Sequence, residues 1–151
     1  MARSEGGSNW GTLVPRFLLA TVFVYHGGQK LFGLFGAPPD ALAHMEELIA
    51  GWGWPMPAAM SRAAAATEFF GGACVALGLL TRFWALGLAC VMAVAAWKVH
   101  GPNGFGAPKG WEYNFVLGVL ALLLVVQGGG AFSMDTMFFR GRRKPDKPAE
   151  S

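Results

Sequence analysis

The stretch FLLATVFVYHGGQKLFGLF, residues 17 to 35, decides the class of this chain. Its first half is almost wholly apolar. His26, Gln29 and Lys30 then interrupt it, and Leu31 to Phe35 resume the apolar run. Extended back to Leu13, the segment reaches the roughly 20 residues needed to cross a bilayer's hydrocarbon core. Three further segments follow: Pro57 to Leu80, the stretch from the Thr81-Arg82 turn to His100, and Trp111 to Gln127. The last is shorter and stops at Gly128-Gly129-Gly130, a strong helix terminator. Composition agrees, since 54% of the 151 residues are hydrophobic and only 14% charged. A soluble domain carries about 25% charged residues. This apolar content excludes a disordered chain, and two cysteines exclude a disulfide-stapled module. The basic pI of about 9.1 is not matched by an aromatic-interleaved basic surface, so nucleic acid is not an expected partner. The expected fold is an all-α integral membrane protein: a four-transmembrane-helix bundle over residues 13–139, between tails at 1–12 and 140–151.

Lys and Arg set the expected orientation. With both termini on one side, that side holds Arg3, Arg16, Arg82, Arg140, Arg142, Arg143, Lys144 and Lys147. The other keeps Lys30, Arg62, Lys98 and Lys109, mixed with Asp40, Glu46, Glu47 and Glu112. Both termini are therefore expected in the cytoplasm, with RGRRKPDK a contact for anionic lipid. The first apolar run is too long for a cleaved signal peptide and lacks a small-x-small cleavage site. In the outer connection, Ala37 to Met56, the residues Leu42, Met45, Leu48 and Ile49 recur at helical spacing opposite Asp40, Glu46 and Glu47. This predicts a short helix lying in the membrane interface, with Trp52 and Trp54 as anchors. Ser133 is placed to cap a short interfacial turn before the basic tail.

Small residues mark where helices in lipid approach closely. Ala64, Thr67, Gly71, Cys74 and Gly78 form one such stripe, and Gly87, Cys90 and Val94 a second. Cys74 and Cys90 fall at matched depth in an antiparallel hairpin. A redox couple is one reading of them, but a thiol in hydrocarbon is a poor redox group, so small buried packing residues is the preferred one.

Ionisable groups inside a membrane cost about 2.5 to 3.5 kcal/mol each even on a lenient scale, so they pair, face a cavity or do a job. His26 and Lys30 stand one helical turn apart on one face, with Gln29 beside them. Glu68 falls near mid-depth of the second span. Lys98 and His100 end the third span on the outer side, and Glu112 with Asn114 begins the fourth. All these groups fall in the outer half of the bundle, and the cytoplasmic half has almost none. The economical arrangement is one polar pocket opening outward, with Lys30 neutralising Glu68 and His26 beside them. Two readings stay open: a functional pocket, or a Lys–Glu clamp fixing helix register, with Gln29, Asn114 and Gln127 as interhelical hydrogen-bond partners. Lys98, His100 and Glu112 taken alone suit snorkelling interfacial residues. No HxxxH or ExxH pattern supports a metal. No covalent-haem or iron–sulfur motif, phosphate loop or serine nucleophile elbow is present.

HGGQKLFGLFG (26–36) and EFFGGACVALGLLTR (68–82), followed by HGPNGF (100–105), Glu112 and GGGAFSMD (128–135), resemble in order the elements of the DoxX family of small bacterial membrane proteins. Together they reach across residues 13 to 136. The resemblance implies a four-helix bundle in the bacterial inner membrane. It also implies quinone-linked redox chemistry, as in the membrane subunit type of thiosulfate:quinone oxidoreductase, working beside a partner protein subunit. On that basis a quinone is the expected cofactor. Glu68, His26 and Lys30 are the expected catalytic group, and Gln29, His100 and Glu112 complete the expected binding set. Phe23, Tyr25, Phe32, Phe69 and Phe70 offer apolar walls. The alternatives are a non-catalytic docking scaffold and a small-solute transporter, which four helices without an inverted repeat would have to form as a homo-oligomer.

Overall fold

The computed structural model describes residues 10–106 and 108–140; of the expected tails at 1–12 and 140–151, residues 1–9 and 141–151 lie outside the described residues. Every regular element among the described residues is helical. A 3₁₀ turn, Trp10–Thr12, leads into α1, Leu13–Phe32. Pro15 is tolerated because the N–H groups of a helix's first turn have no intrahelical partner. The helix ends three residues before the expected Phe35. Gly33 turns left-handed (φ 63°), and Phe35 and Gly36 follow it there (φ 58° and 70°). After α2, Ala41–Gly51, a continuous rod runs through α3 (Pro57–Ala66), a π-helical turn (Thr67–Gly71) and α4 (Gly72–Leu77). Pro57 sits at its first position, where a missing N–H costs nothing. The third rod is α5 (Thr81–Val94), continued by a π turn (Ala95–His100) and a 3₁₀ turn (Gly101–Asn103). The fourth is α6, Glu112–Gln127, stopped at Gly128 (φ 76°). The short α7 spans Met134–Arg140.

Among the described residues, only Thr81–Asn103, 23 residues with mean hydropathy 1.5, is both long and apolar enough to cross a membrane by that measure alone. α6 is apolar but has 16 residues. α1 is diluted by Arg16, His26, Gln29 and Lys30, and the rod from 57 to 77 by Ser61, Arg62, Thr67 and Glu68.

α5 packs along α6, and α1 along the first π turn and α4. Leu19 and Phe23 of α1 meet Val75, Ala85, Leu88, Leu117 and Leu124 in one core. Of the expected stripes, Gly71 faces Trp84 and Gly87 faces Thr67, while Gly27 and Gly72, outside those stripes, also sit at close crossings. A Cβ on Gly27 would lie 2.4 Å from the backbone nitrogen of Phe69, and one on Gly72 3.1 Å from the Cβ of Phe23. Gly87 faces the Thr67 methyl at 3.1 Å on the same measure. In isolation Gly→Ala favours a helix by up to about 1 kcal/mol. At Gly27 the obstacle is backbone, which cannot rotate away, so the crossing must open. Gly27→Ala is therefore expected to destabilise by about 1–3 kcal/mol, read as a fall in melting temperature in detergent. Gly51→Ala, with nothing near its would-be Cβ, is the neutral control.

Cys90 departs from its expected role as a buried packing residue. It is exposed, Cys74 is half-buried, and both thiols are free. On α5 it is Leu88, Ala89 and Met92 that turn inward.

The end of the rods away from α2 also departs from expectation. Arg16, counted among the charges of the cytoplasmic surface, is 1% exposed. Its guanidinium donates to the carbonyls of Val75 (3.0 Å), Ala76 (2.6 Å), Gly129 (2.9 Å) and Ala131 (3.0 Å). Thr12, Thr81 and Ser133 are buried beside it, so this half of the molecule is not free of polar groups. The cause is backbone chemistry. Ala76 at the end of α4 and the irregular run from 128 to 133 leave carbonyls without helical partners, Val75 also accepts from the Gly78 N–H, and a planar five-donor fork serves all of these at once. Asp135 completes the junction, its carboxylate accepting from the backbone N–H groups of Leu80 (2.7 Å) and Thr81 (2.9 Å) and so capping α5 from another element. Ser133 caps α7 as expected: its hydroxyl oxygen accepts from the Thr136 N–H at 3.2 Å.

Candidate functional site

The Lys30 ammonium donates to both carboxylate oxygens of Glu68, at 2.7 and 2.6 Å. Glu68 is 3% exposed, and the Lys30 side chain 25%. Lys30 projects from the last turns of α1, where the i, i+4 register also sets His26 on the same side. Glu68 belongs to the π turn of the second rod. A π turn accommodates one extra residue, shifts the register of all that follows, and recurs at functional positions. The second π turn, Ala95–His100, carries His100 and Lys98.

These elements line a partly open cavity of about 570 Å³, within the usual range for a small-molecule site. Its wall is mostly apolar, with Phe23, Met60, Met92, Leu117 and the indoles of Trp52 and Trp54 among the lining residues. His26, Lys30, Glu68, His100 and Asn114 line it as well. Gln29 and Glu112 are not among the lining residues; Gln29 is half-buried on a neighbouring face of α1 and Glu112 is exposed at the start of α6. Of the expected aromatic walls only Phe23 lines the cavity. Tyr25, Phe32, Phe69 and Phe70 instead pack with other rings: Tyr25 stacks on Phe35, and Phe69 meets Phe32 and Phe70 edge-on.

Two of the lining groups are already engaged. The Asn114 amide points to the Met92 sulfur at 3.6 Å. His100 Nδ1 lies 2.7 Å from the Lys109 carbonyl, which only accepts, so Nδ1 is the donor in this contact. Lys98 lies beside the cavity with its ammonium over the rings of Trp97 and Trp54, at 4.2 and 5.7 Å from their centres. Among the described residues, no group of three or more His, Cys, Asp or Glu side chains is arranged to hold a metal ion.

The sequence reading missed His44. α2 is present where expected, but Ala41, His44, Met45, Leu48, Ile49 and Trp52 all line the cavity. That is one complete helical stripe, so α2 is a wall of the site. His44 is its one strongly polar member, and all three histidines of the chain line the same cavity. The signal was available in the spacing 41, 44, 45, 48, 49, 52. Leu42, taken as part of the apolar face, is not in the lining.

The DoxX family model matches residues 11–101, which include α1, the π turn with Glu68 and most of the cavity wall. The chain belongs to the DoxX family. A protein of Haemophilus influenzae, itself uncharacterized, is 30% identical over 135 residues, covering 87% of this chain and 85% of its own. No solved structure matches. DoxX proteins are membrane proteins, often associated with oxidoreductase-related subunits. The Lys30–Glu68 pair lies within the part of the chain that the DoxX model matches.

Proposed function

We propose that this DoxX protein is the quinone-binding membrane subunit of an oxidoreductase in the bacterial inner membrane. In this reading the four rods cross the bilayer as a bundle, both termini are cytoplasmic, and α2 lies at the outer face. The distribution of Lys and Arg supports the orientation.

The observation that carries the reading is that the Lys30–Glu68 pair lines an apolar cavity instead of being sealed between helices. A clamp that only fixes helix register needs no cavity beside it. The residues also suit the group. A quinone presents two carbonyl oxygens that accept hydrogen bonds, and its reduction takes up two electrons and two protons. His26 or Lys30 donates to one carbonyl, and the apolar wall shelters the ring. Glu68 and His26 hold and pass the protons in a site shielded from bulk water. The isoprenoid tail leaves between helices into lipid. The chain has no cofactor motif of its own, so the electrons come from a partner protein subunit.

The test is to purify the protein from membranes, extract it with organic solvent and quantify quinone against Glu68→Gln. Near-stoichiometric quinone is expected in the wild type. Glu68→Gln disturbs a charged hydrogen-bonding group and is expected to weaken retention about ten-fold or more. Quinone at the level of bulk lipid carry-over in both samples overturns the reading and leaves a docking scaffold in its place.

A further inference from the structure

α2 is a lightly attached wall of the cavity. Of its eleven residues only Ile49 is buried. Among the described residues, no α2 side chain has a hydrogen bond or ion pair to the rest of the molecule, and α2 rests on α3 and α1 through its apolar stripe alone. Left-handed backbone flanks it on both sides: Gly33, Phe35 and Gly36 before it, and Gly53 (φ 72°) and Met56 (φ 51°) after it. At Gly33, Gly36 and Gly53 nothing lies within 4 Å of where a Cβ would stand, so these joints are not wedged by packing. The fastening is made elsewhere. Lys98, from the π turn of the third rod, lies over Trp54, and Trp54 packs edge-on against Trp52 at 5.4 Å between ring centres. Both indoles line the cavity.

We infer that α2 is a hinged lid, latched by Lys98 on Trp54, that closes over the ligand and brings His44 to it as a binding residue. The inward stripe of a purely structural cover would be apolar throughout; this one puts an imidazole toward the cavity midway along an otherwise apolar surface. The contact with a quinone rests on the proposed function, whereas the lid rests on the fold. When α2 lifts, the ligand enters beside the α1–α2 and α2–α3 joints. When it closes, the ring nitrogen of His44 donates to an acceptor oxygen of the ligand, a contact distinct from the Lys30–Glu68 pair.

The experiment uses the full-length protein in lipid nanodiscs, with duroquinone as the probe because its two carbonyls are equivalent in solution. Hydrogen exchange is expected to be faster in α2 than in α1 or α6. Lys98→Met removes the cation–π contact and should speed α2 exchange a further two- to five-fold, leaving α6 unchanged. Duroquinone should slow α2 exchange. His44→Leu should weaken duroquinone binding about three- to ten-fold. It should also abolish the lowered stretching frequency of one carbonyl in the infrared spectrum, a signature that a merely structural change would not remove selectively. Slow α2 exchange that Lys98→Met leaves unmoved overturns the lid. Tight duroquinone binding with both carbonyl bands unaltered in His44→Leu overturns the histidine's role and leaves the quinone reading intact. Failure of the wild type to bind duroquinone overturns the quinone reading and the His44 contact together, and the exchange measurement alone then decides the lid.

Discussion

Arg16→Met is expected to be the most damaging single substitution in the described residues, costing about 4 kcal/mol or more. The guanidinium is 1% exposed and serves the carbonyls of Val75, Ala76, Gly129 and Ala131. A charged donor contributes about 1.5–3 kcal/mol per hydrogen bond, and a buried acceptor left without one costs about 1–3 kcal/mol. The terms do not add in full because the run from 128 to 133 has no helical ladder and can relax. Arg16→Lys retains the charge but replaces a planar fork by a compact ammonium, so it should recover part of the loss. Purified variants heated in detergent, followed by tryptophan fluorescence, give the order wild type, Arg16→Lys, Arg16→Met. Equal melting temperatures for all three would show that the guanidinium is not the element joining α1 to the chain's later half.

Lys30→Met should follow, at about 3–5 kcal/mol, because it leaves the buried Glu68 carboxylate without its cation. Glu68→Gln should cost less. Lys30 is partly exposed and its long stem lets the ammonium reach water, so it is less stranded than the carboxylate. The decisive measurement is the double variant Lys30→Met, Glu68→Gln. Replacing both charges removes the penalty as well as the attraction, so most of the stability should return. Quinone retention should not return with it. A double variant that regains both would identify the pair as a clamp between α1 and the second rod. One that stays as unstable as Lys30→Met would mean that the methionine is misfitted, independent of charge.

Much of this was legible because hydropathy and depth are both written along the chain. The four apolar segments follow from composition, the end of the last from Gly128, and the meeting of Lys30 with Glu68 from counting turns inward from the same side; the left-handed stops at Gly33 and Gly78 were not read. Arg16 was not legible. A charge three residues into α1 looks like a surface charge near a membrane boundary, and its partners are carbonyls, which carry no side-chain signature. The π turns were hidden for a related reason: one extra residue in a helix changes no composition, and the run from Ala63 to Ala66 has no strong face to reveal the slip. His44 was missed through attention to apolar residues alone. The spacing that sets Met45 and Ile49 against the cavity carries the histidine with them.

The junction around Arg16 also fixes an order of events during synthesis. Two of the carbonyls that Arg16 serves, on Gly129 and Ala131, are more than 110 positions downstream, and the carboxylate that caps α5 is on Asp135. Until those residues are translated Arg16 lacks two of its four main acceptors and α5 lacks its cap, so the junction cannot be complete before the ribosome has passed Asp135. The last described stretch of the protein acts as the closing step of its assembly.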